Sequence, residues 1–201
     1  MIAAVSNDTA RIEAFSDGVF AIAITLLVLD LKVPRELHEG QTLTTALAHQ
    51  WPAYVAFVTS FLTILVMWIN HHRMFTLIGR ADDRLLILNG LLLLGITVVP
   101  FPTSLVAEYL GHDGQRTAAL VYNGTFIAIA ICFNLLWRCA ARNSRLLDSN
   151  ASPSSAQAIT RSYRFGPLVY GVAFVLALVS VKASLALNLG LALFFALPHE
   201  R

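Results

Sequence analysis

The stretch FSDGVFAIAITLLVLD, residues 15–30, limits the folds open to this chain more than any other. Between Asp17 and Asp30 the one polar side chain is Thr25. A solvated surface helix needs a polar face, and this run has too little polarity to make one. The run is also short for a helix in lipid, which takes roughly 20 apolar residues. A carboxylate inside each boundary adds to the difficulty, because a charge within a membrane segment is costly unless it is paired or wet.

Composition decides the environment. The 201-residue chain is 57% hydrophobic and 13% charged, with a mean hydropathy of +0.67. Soluble domains run at about 45–50% apolar and about 25% charged, so an integral membrane protein is expected. A net charge of +2 without a basic run argues against a nucleic-acid partner. Cys132 and Cys139 lie about two turns apart on one apolar segment, and a single helix cannot bring that pair together. They read as packing residues. The first residues, MIAAVSNDTARIEAF, lack the basic-then-apolar order of a cleaved signal, so the first helix is expected to stay in the mature protein.

The pattern predicts one all-α, polytopic domain over 1–201, with six membrane helices at about 12–33, 51–78, 85–110, 117–140, 165–181 and 183–197. Pro100 and Pro102 break the third. The fifth and sixth form a tight hairpin around Lys182 or, alternatively, one long bent helix. With both termini cytoplasmic, Lys32, Arg35, Arg116 and Lys182 are the only outer members of the 14 lysines and arginines. Arg11, Arg73, Arg80, Arg84, Arg138, Arg142, Arg145, Arg161, Arg164 and Arg201 then lie inside, as the positive-inside rule requires. The Ser-rich stretch DSNASPSSAQA, with Pro153, predicts a flexible cytoplasmic loop over 143–160. Residues 34–50 form an outer loop that starts polar and can turn helical near its end.

At 100° per residue, Phe15, Ile22 and Leu29 lie nearly in line, with Leu26 about 40° from Ile22 and Thr25 about 60° to the other side. Ile22, Leu26 and Leu29 thus make one aliphatic stripe with a threonine on its flank. Asp17 points about 140° away, toward a different neighbour, with Gly18 and Ala21 near its side to let another helix approach. Arg11, His71 and His72 are its candidate partners. Asp30 lies about 20 Å further along, where it is either a solvated helix end or part of a ring of acids at an outer mouth.

Other motifs carry less. Adjacent histidines in NHHR, residues 70–73, point about 100° apart on a helix and rarely share an ion, so no metal site is expected. Asn89, Asn123, Asn134 and Asn188 read as interhelical hydrogen-bond donors. Lys182 reads as an outer-turn residue, and Glu108 and Asp113 as interface or loop residues. No P-loop, dinucleotide fingerprint or nucleophile elbow occurs, and an enzyme is not expected.

RIEAFSDGVFAIAITLLVLDL, residues 11–31, resembles the first-helix signature of the lysosomal potassium channel family (transmembrane protein 175 type) in its prokaryotic, single-repeat branch. The core of that signature is Arg11 followed by Phe15, Ser16 and Asp17, and WINHHRMF, residues 68–75, is also similar. The resemblance implies a cation channel with no TVGYG-type filter, a sequence that does not occur here. In the family the first helix of each repeat lines the pore. Animal members carry two six-helix repeats and dimerise, so a single repeat implies a homotetramer. Constriction positions fall on Ile22, Leu26 and Leu29, and a selectivity threonine on Thr25. Arg11, Phe15, Ser16, Asp17 and Trp68, with His71 or His72, match the packing network behind the pore helix, and Asp30 falls near the outer mouth.

This resemblance accounts for the short apolar run, which faces a pore axis rather than lipid. Four copies of an Ile/Leu stripe can close a pore by dewetting, and four threonine hydroxyls offer only weak oxygen ligands. The expected protein is a potassium-permeable channel of the inner (plasma) membrane with modest preference for potassium over sodium. It takes no cofactor; its partners are lipid, other copies of itself, potassium and other monovalent cations. The runner-up is a proton-coupled or proton-conducting transporter using Asp17, His71 and His72; a membrane enzyme or assembly subunit is the third reading.

Overall fold

The computed structural model describes residues 6–34, 40–142 and 145–196. Arg35, Asn143, Ser144, Leu197 and Arg201, which entered the expectations above, lie outside the described residues. The rest is all-helical: α1 (Ser6–Leu26) runs into a 3-10 turn (Leu27–Asp30), followed by α2 (Leu43–His49), α3 (Trp51–Phe75), α4 (Asp83–Val98), α5 (Pro100–Tyr109), α6 (Gln115–Ala141), α7 (Pro153–Val179) and α8 (Val181–Ala196).

Among the described residues, five spans are long and apolar enough to cross a membrane: Thr9–Asp30, Trp51–Phe75, Asp83–Tyr109, Gln115–Ala141 and Pro153–Val179. At 1.5 Å per residue the longest reach about 40 Å, against a hydrocarbon core of about 30 Å. The expected sixth segment is α8, whose 16 residues make it a shorter apolar helix of about 24 Å. α4 and α5 share the third span, and the break falls at Val99, just before Pro100, because a proline cannot donate to the preceding turn.

Two departures from the expected boundaries are the largest. The loop expected over 143–160 is instead anchored and largely helical from Pro153. Leu146 is buried, its carbonyl accepts from the amides of Gly79 and Arg80 (2.9 and 3.2 Å), and Asp148 N–H donates to Leu77 O at 2.9 Å. Ser152 takes the N-cap position and Pro153 opens the helix, so residues that suggested a linker are helix-start residues in this context. The first helix also ends earlier than 33, tightening into the 3-10 turn and leaving helical geometry at Leu31.

The fifth and sixth segments are a hairpin, not one bent helix. Ser180 is extended (φ −148°, ψ 107°) between α7 and α8. Ser184 Oγ then donates back to Ala173 O at 2.7 Å, a contact that a continuous helix would hold about 16 Å apart. Helix α2 lies in the connection between the first two spans, opened by a capping box between Thr42 and Thr45.

Lipid is as apolar as leucine, so helices in a membrane associate through close packing and hydrogen bonds between them. α6 is the hub. Ile129, Leu136, Phe126 and Trp137 are buried against α4 and α7, and Gly95 on α4 lets Ile129 approach so closely that an added Cβ would sit 2.7 Å from Ile129 Cγ1. Buried polar groups bond across helices. Ser60 Oγ lies 2.7 Å from Thr103 Oγ1 and 3.0 Å from Tyr122 Oη, tying α3, α5 and α6. Asn123 Nδ2 donates to Ser184 Oγ, and Asn188 Nδ2 to Asn123 Oδ1, joining α6 to α8.

Candidate functional site

α1 has two unlike faces. Ser16, Phe20, Ala23 and Leu27 recur at helical spacing, and all are buried against α3 and α4. On the other side Phe15 is 68% exposed, Ile22 60%, Leu26 40% and Leu29 71%, and Thr25 is exposed among them. The stripe read from spacing is therefore exposed and has no partner among the described residues. The 3-10 turn adds a detail that an α-helical wheel misses. Side chains three apart eclipse in that geometry, which brings Leu29 into line above Leu26.

Thr25 Oγ1 donates to the carbonyls of Ala21 (3.0 Å) and Ile22 (2.9 Å). Its proton is thus committed to the backbone, which leaves the oxygen lone pairs for whatever lies along the exposed face. Gly18 and Ala21 lie on that same open side. Among the described residues, nothing outside the helix's own nearby backbone comes within 4 Å of a Cβ added at Gly18.

Behind this face runs a directed chain of hydrogen bonds. Ser16 Oγ donates to Ile12 O at 2.8 Å, Asn89 Nδ2 donates to Ser16 Oγ at 3.0 Å, and His71 Nε2 donates to Asn89 Oδ1 at 3.0 Å. Three helices, α1, α4 and α3, are joined through four polar groups. The His71 ring stacks on Phe75 at 4.4 Å and is tilted against Phe20. His71 is the buried network histidine; His72 has a separate role, with Nδ1 donating to Glu13 Oε1 at 2.6 Å and its ring stacked on Trp68. The two histidines face different partners, as their spacing predicts.

Asp17 is held by Trp68, whose Nε1–H donates to Oδ1 at 2.8 Å. Arg11 is not its partner: it is exposed and forms no ion pair among the described residues. Residues six apart on a helix point to different sides, so the pair had no shared face. Phe15 likewise stands on the exposed stripe rather than in the packed network. Ser16, Asp17, Trp68, His71 and His72 are brought together; Asn89 and Glu13 belong with them. Asn89 was readable as an amide inside an apolar run, which must find a partner, but its place beside Ser16 was not.

Asp30, at the far end, is half-buried rather than fully solvated. Ser104 Oγ on α5 donates to its Oδ1 at 2.6 Å, and Lys32 pairs with Glu108 nearby at 3.4 Å.

Residues 11–100, which hold most of α1 and the whole network, match the model of the endosomal/lysosomal potassium channel TMEM175. A potassium channel of Chamaesiphon minutus is 55% identical over 192 residues, covering 95% of each chain. This chain belongs to the TMEM175 potassium channel family. Another relative, a potassium channel of Streptomyces collinus, is 44% identical over 190 residues, covering 94% of this chain and 92% of its own. The crystal structure of a lysosomal potassium-selective channel TMEM175 homologue from Chamaesiphon minutus matches with a TM-score of 0.84 at 52% identity, covering 94% of this chain and 96% of that one. Membership in the TMEM175 family, with the five long apolar spans, makes this a multi-pass membrane protein.

Proposed function

We propose that this chain is one subunit of a homotetrameric, potassium-permeable cation channel in the inner (plasma) membrane. Six helices cross, with α8 as the short sixth, and both termini are cytoplasmic. α1 lines the pore. Ile22, Leu26 and Leu29 form a hydrophobic constriction, Thr25 supplies weak oxygen ligands for a partly dehydrated ion, and Asp30 lies near the outer mouth. The observation that carries this reading is the unpartnered aliphatic stripe on α1, with a threonine hydroxyl at its centre and a hydrogen-bonded wall behind it. Four such stripes around an axis make a neck too apolar to hold a water column until it widens.

The arginine-rich end supports the orientation. Glu13–His72, Asn70–Tyr163 and Trp137–Thr160 contacts bring the start of α1, the end of α3, the end of α6 and the start of α7 together, and Arg73, Arg80, Arg84, Arg138 and Arg142 gather there.

The test is a bi-ionic recording across bilayers holding purified protein, with potassium on one side and sodium on the other. A cation current with a mild potassium-favouring reversal potential, raised several-fold by Ile22→Asn, is expected. Silence from both proteins, with the tetramer intact, would sink the channel reading. One observation favours proton traffic as the second reading: the Glu13–His72 pair, whose histidine is 54% exposed, sits beside Asp17. A reversal potential that follows an imposed pH gradient, and not the potassium gradient, would select it.

A further inference from the structure

Between the start of α4 and the end of α6 lies a recess of about 1100 Å³ that the pore reading does not use. Arg84, Arg138, Arg142 and Arg145 line it. Arg138 stands in the last turn of α6 and Arg142 is the residue that caps its end, four positions on. Arg145 is engaged by Asp82, which also caps α4 through Leu85 N–H. Arg84, Arg138 and Arg142 are exposed and form no ion pair among the described residues, and Asp83 is the one further acid in the lining. Positive charge is in surplus.

The recess also has an apolar side. Ile87 and Leu88 belong to its lining, and Ile87 is 65% exposed. From Ile87 the exposed residues Leu91 and Leu94 continue along α4 at helical spacing, away from the arginines and toward the middle of the span; Leu135 and Ile131 do the same on α6. A guanidinium cluster at the end of a membrane span, continuous with an outward-facing aliphatic strip, is complementary to a molecule with a phosphate at one end and hydrocarbon at the other.

We propose that this recess binds the headgroup phosphate of an anionic phospholipid of the inner leaflet, with the acyl chains lying along Ile87, Leu91 and Leu94. Planar guanidinium groups can grip phosphate oxygens in pairs, and neutral headgroups carry a compensating cation that this surplus repels. A free phosphate would meet the arginines but gain nothing from the aliphatic strip, so the lipid is the better fit. The site rests on the membrane-spanning architecture and on the proposed orientation, and not on the channel reading.

Native mass spectrometry of the full chain in detergent, titrated with phosphatidylglycerol or with phosphatidylcholine of matched chains, tests the assignment. Tight phosphatidylglycerol binding, weakened about tenfold in R138Q/R142Q, is expected. R138K/R142K should keep most of it, and R161Q/R164Q, which removes equal charge from α7 outside the recess, should keep all of it. Phosphatidylglycerol should also slow maleimide labelling of Cys139, which lines the recess, in a C132S background. Circular dichroism establishes that each variant is folded. Equal binding by R138Q/R142Q and the parent would overturn the site. Equal loss in R161Q/R164Q would reduce it to bulk charge, and displacement of the lipid by inorganic phosphate at matched concentration would make it a soluble-anion site; either result ends the lipid proposal.

Discussion

Asn134 Nδ2 donates to the backbone carbonyl of Tyr163 at 2.6 Å, and that carbonyl is the one that Pro167, four residues on in α7, cannot satisfy. An interior proline removes one helical N–H, and in lipid no water replaces it. α6 supplies the missing donor. The same amide also reaches Ala130 O at 3.0 Å, so it spans both helices. Asn134→Leu should destabilise the fold by about 1–3 kcal/mol, the cost of an unpaired buried carbonyl. In a Pro167→Ala background, where position 167 regains an N–H able to bond Tyr163 O, the cost should shrink by about 1 kcal/mol. Thermal unfolding of the four proteins in one detergent measures that coupling.

The relay from His71 through Asn89 to Ser16 makes a larger demand. Asn89 is both donor and acceptor, and both its partners are buried. Asn89→Leu keeps the volume but strands the His71 N–H and leaves Ser16 with only its bond to Ile12. Stranded groups of this kind cost about 1–3 kcal/mol each. A loss of about 2–3 kcal/mol is expected by thermal unfolding, more than from Ser16→Ala, which leaves only the Asn89 amide short of an acceptor. Equal losses would mean that Asn89 contributes packing alone.

Close approach between α4 and α6 gives a steric prediction. Gly95→Ala would put a methyl group 2.7 Å from Ile129 Cγ1, near the branch point of a packed side chain that cannot simply swing away. Overpacking of this order costs about 1–3 kcal/mol. Gly18→Ala is the matching control: it meets nothing among the described residues, so the unfolding temperature of the subunit should hold or rise slightly.

Much of this is legible without coordinates. Helical spacing separates the open stripe of α1 from the rest, because Ile22 and Leu29 differ from Phe20 and Leu27 only in their angle around one axis. Pro100 marks the break in the third span because the missing N–H is written in the sequence. What periodicity cannot show is geometry finer than 100° per residue, so the 3-10 turn at Leu27–Asp30 passes for ordinary helix. Ser152 and Pro153 are ambiguous for a different reason: the same two residues begin helices and populate linkers, and local sequence does not decide between them. Partner choice is the hardest step. Arg11 is nearer to Asp17 along the chain, but Trp68, on another helix, faces it.

Thr25 carries the selectivity reading. A few-fold preference for potassium over sodium corresponds to about 1 kcal/mol or less, so weak ligands suffice and their removal should abolish it. The hydroxyl proton is already directed at Ala21 O and Ile22 O, which fixes the oxygen and leaves its lone pairs outward. Thr25→Val keeps the shape and removes the oxygen. In bi-ionic recordings its reversal potential should fall to near zero while current persists, because the aliphatic neck is unchanged. Thr25→Ser keeps both the oxygen and the bond to the preceding turn, and should stay close to the parent. If Thr25→Val instead lowered current without moving the reversal potential, Thr25 would shape the neck rather than choose the ion.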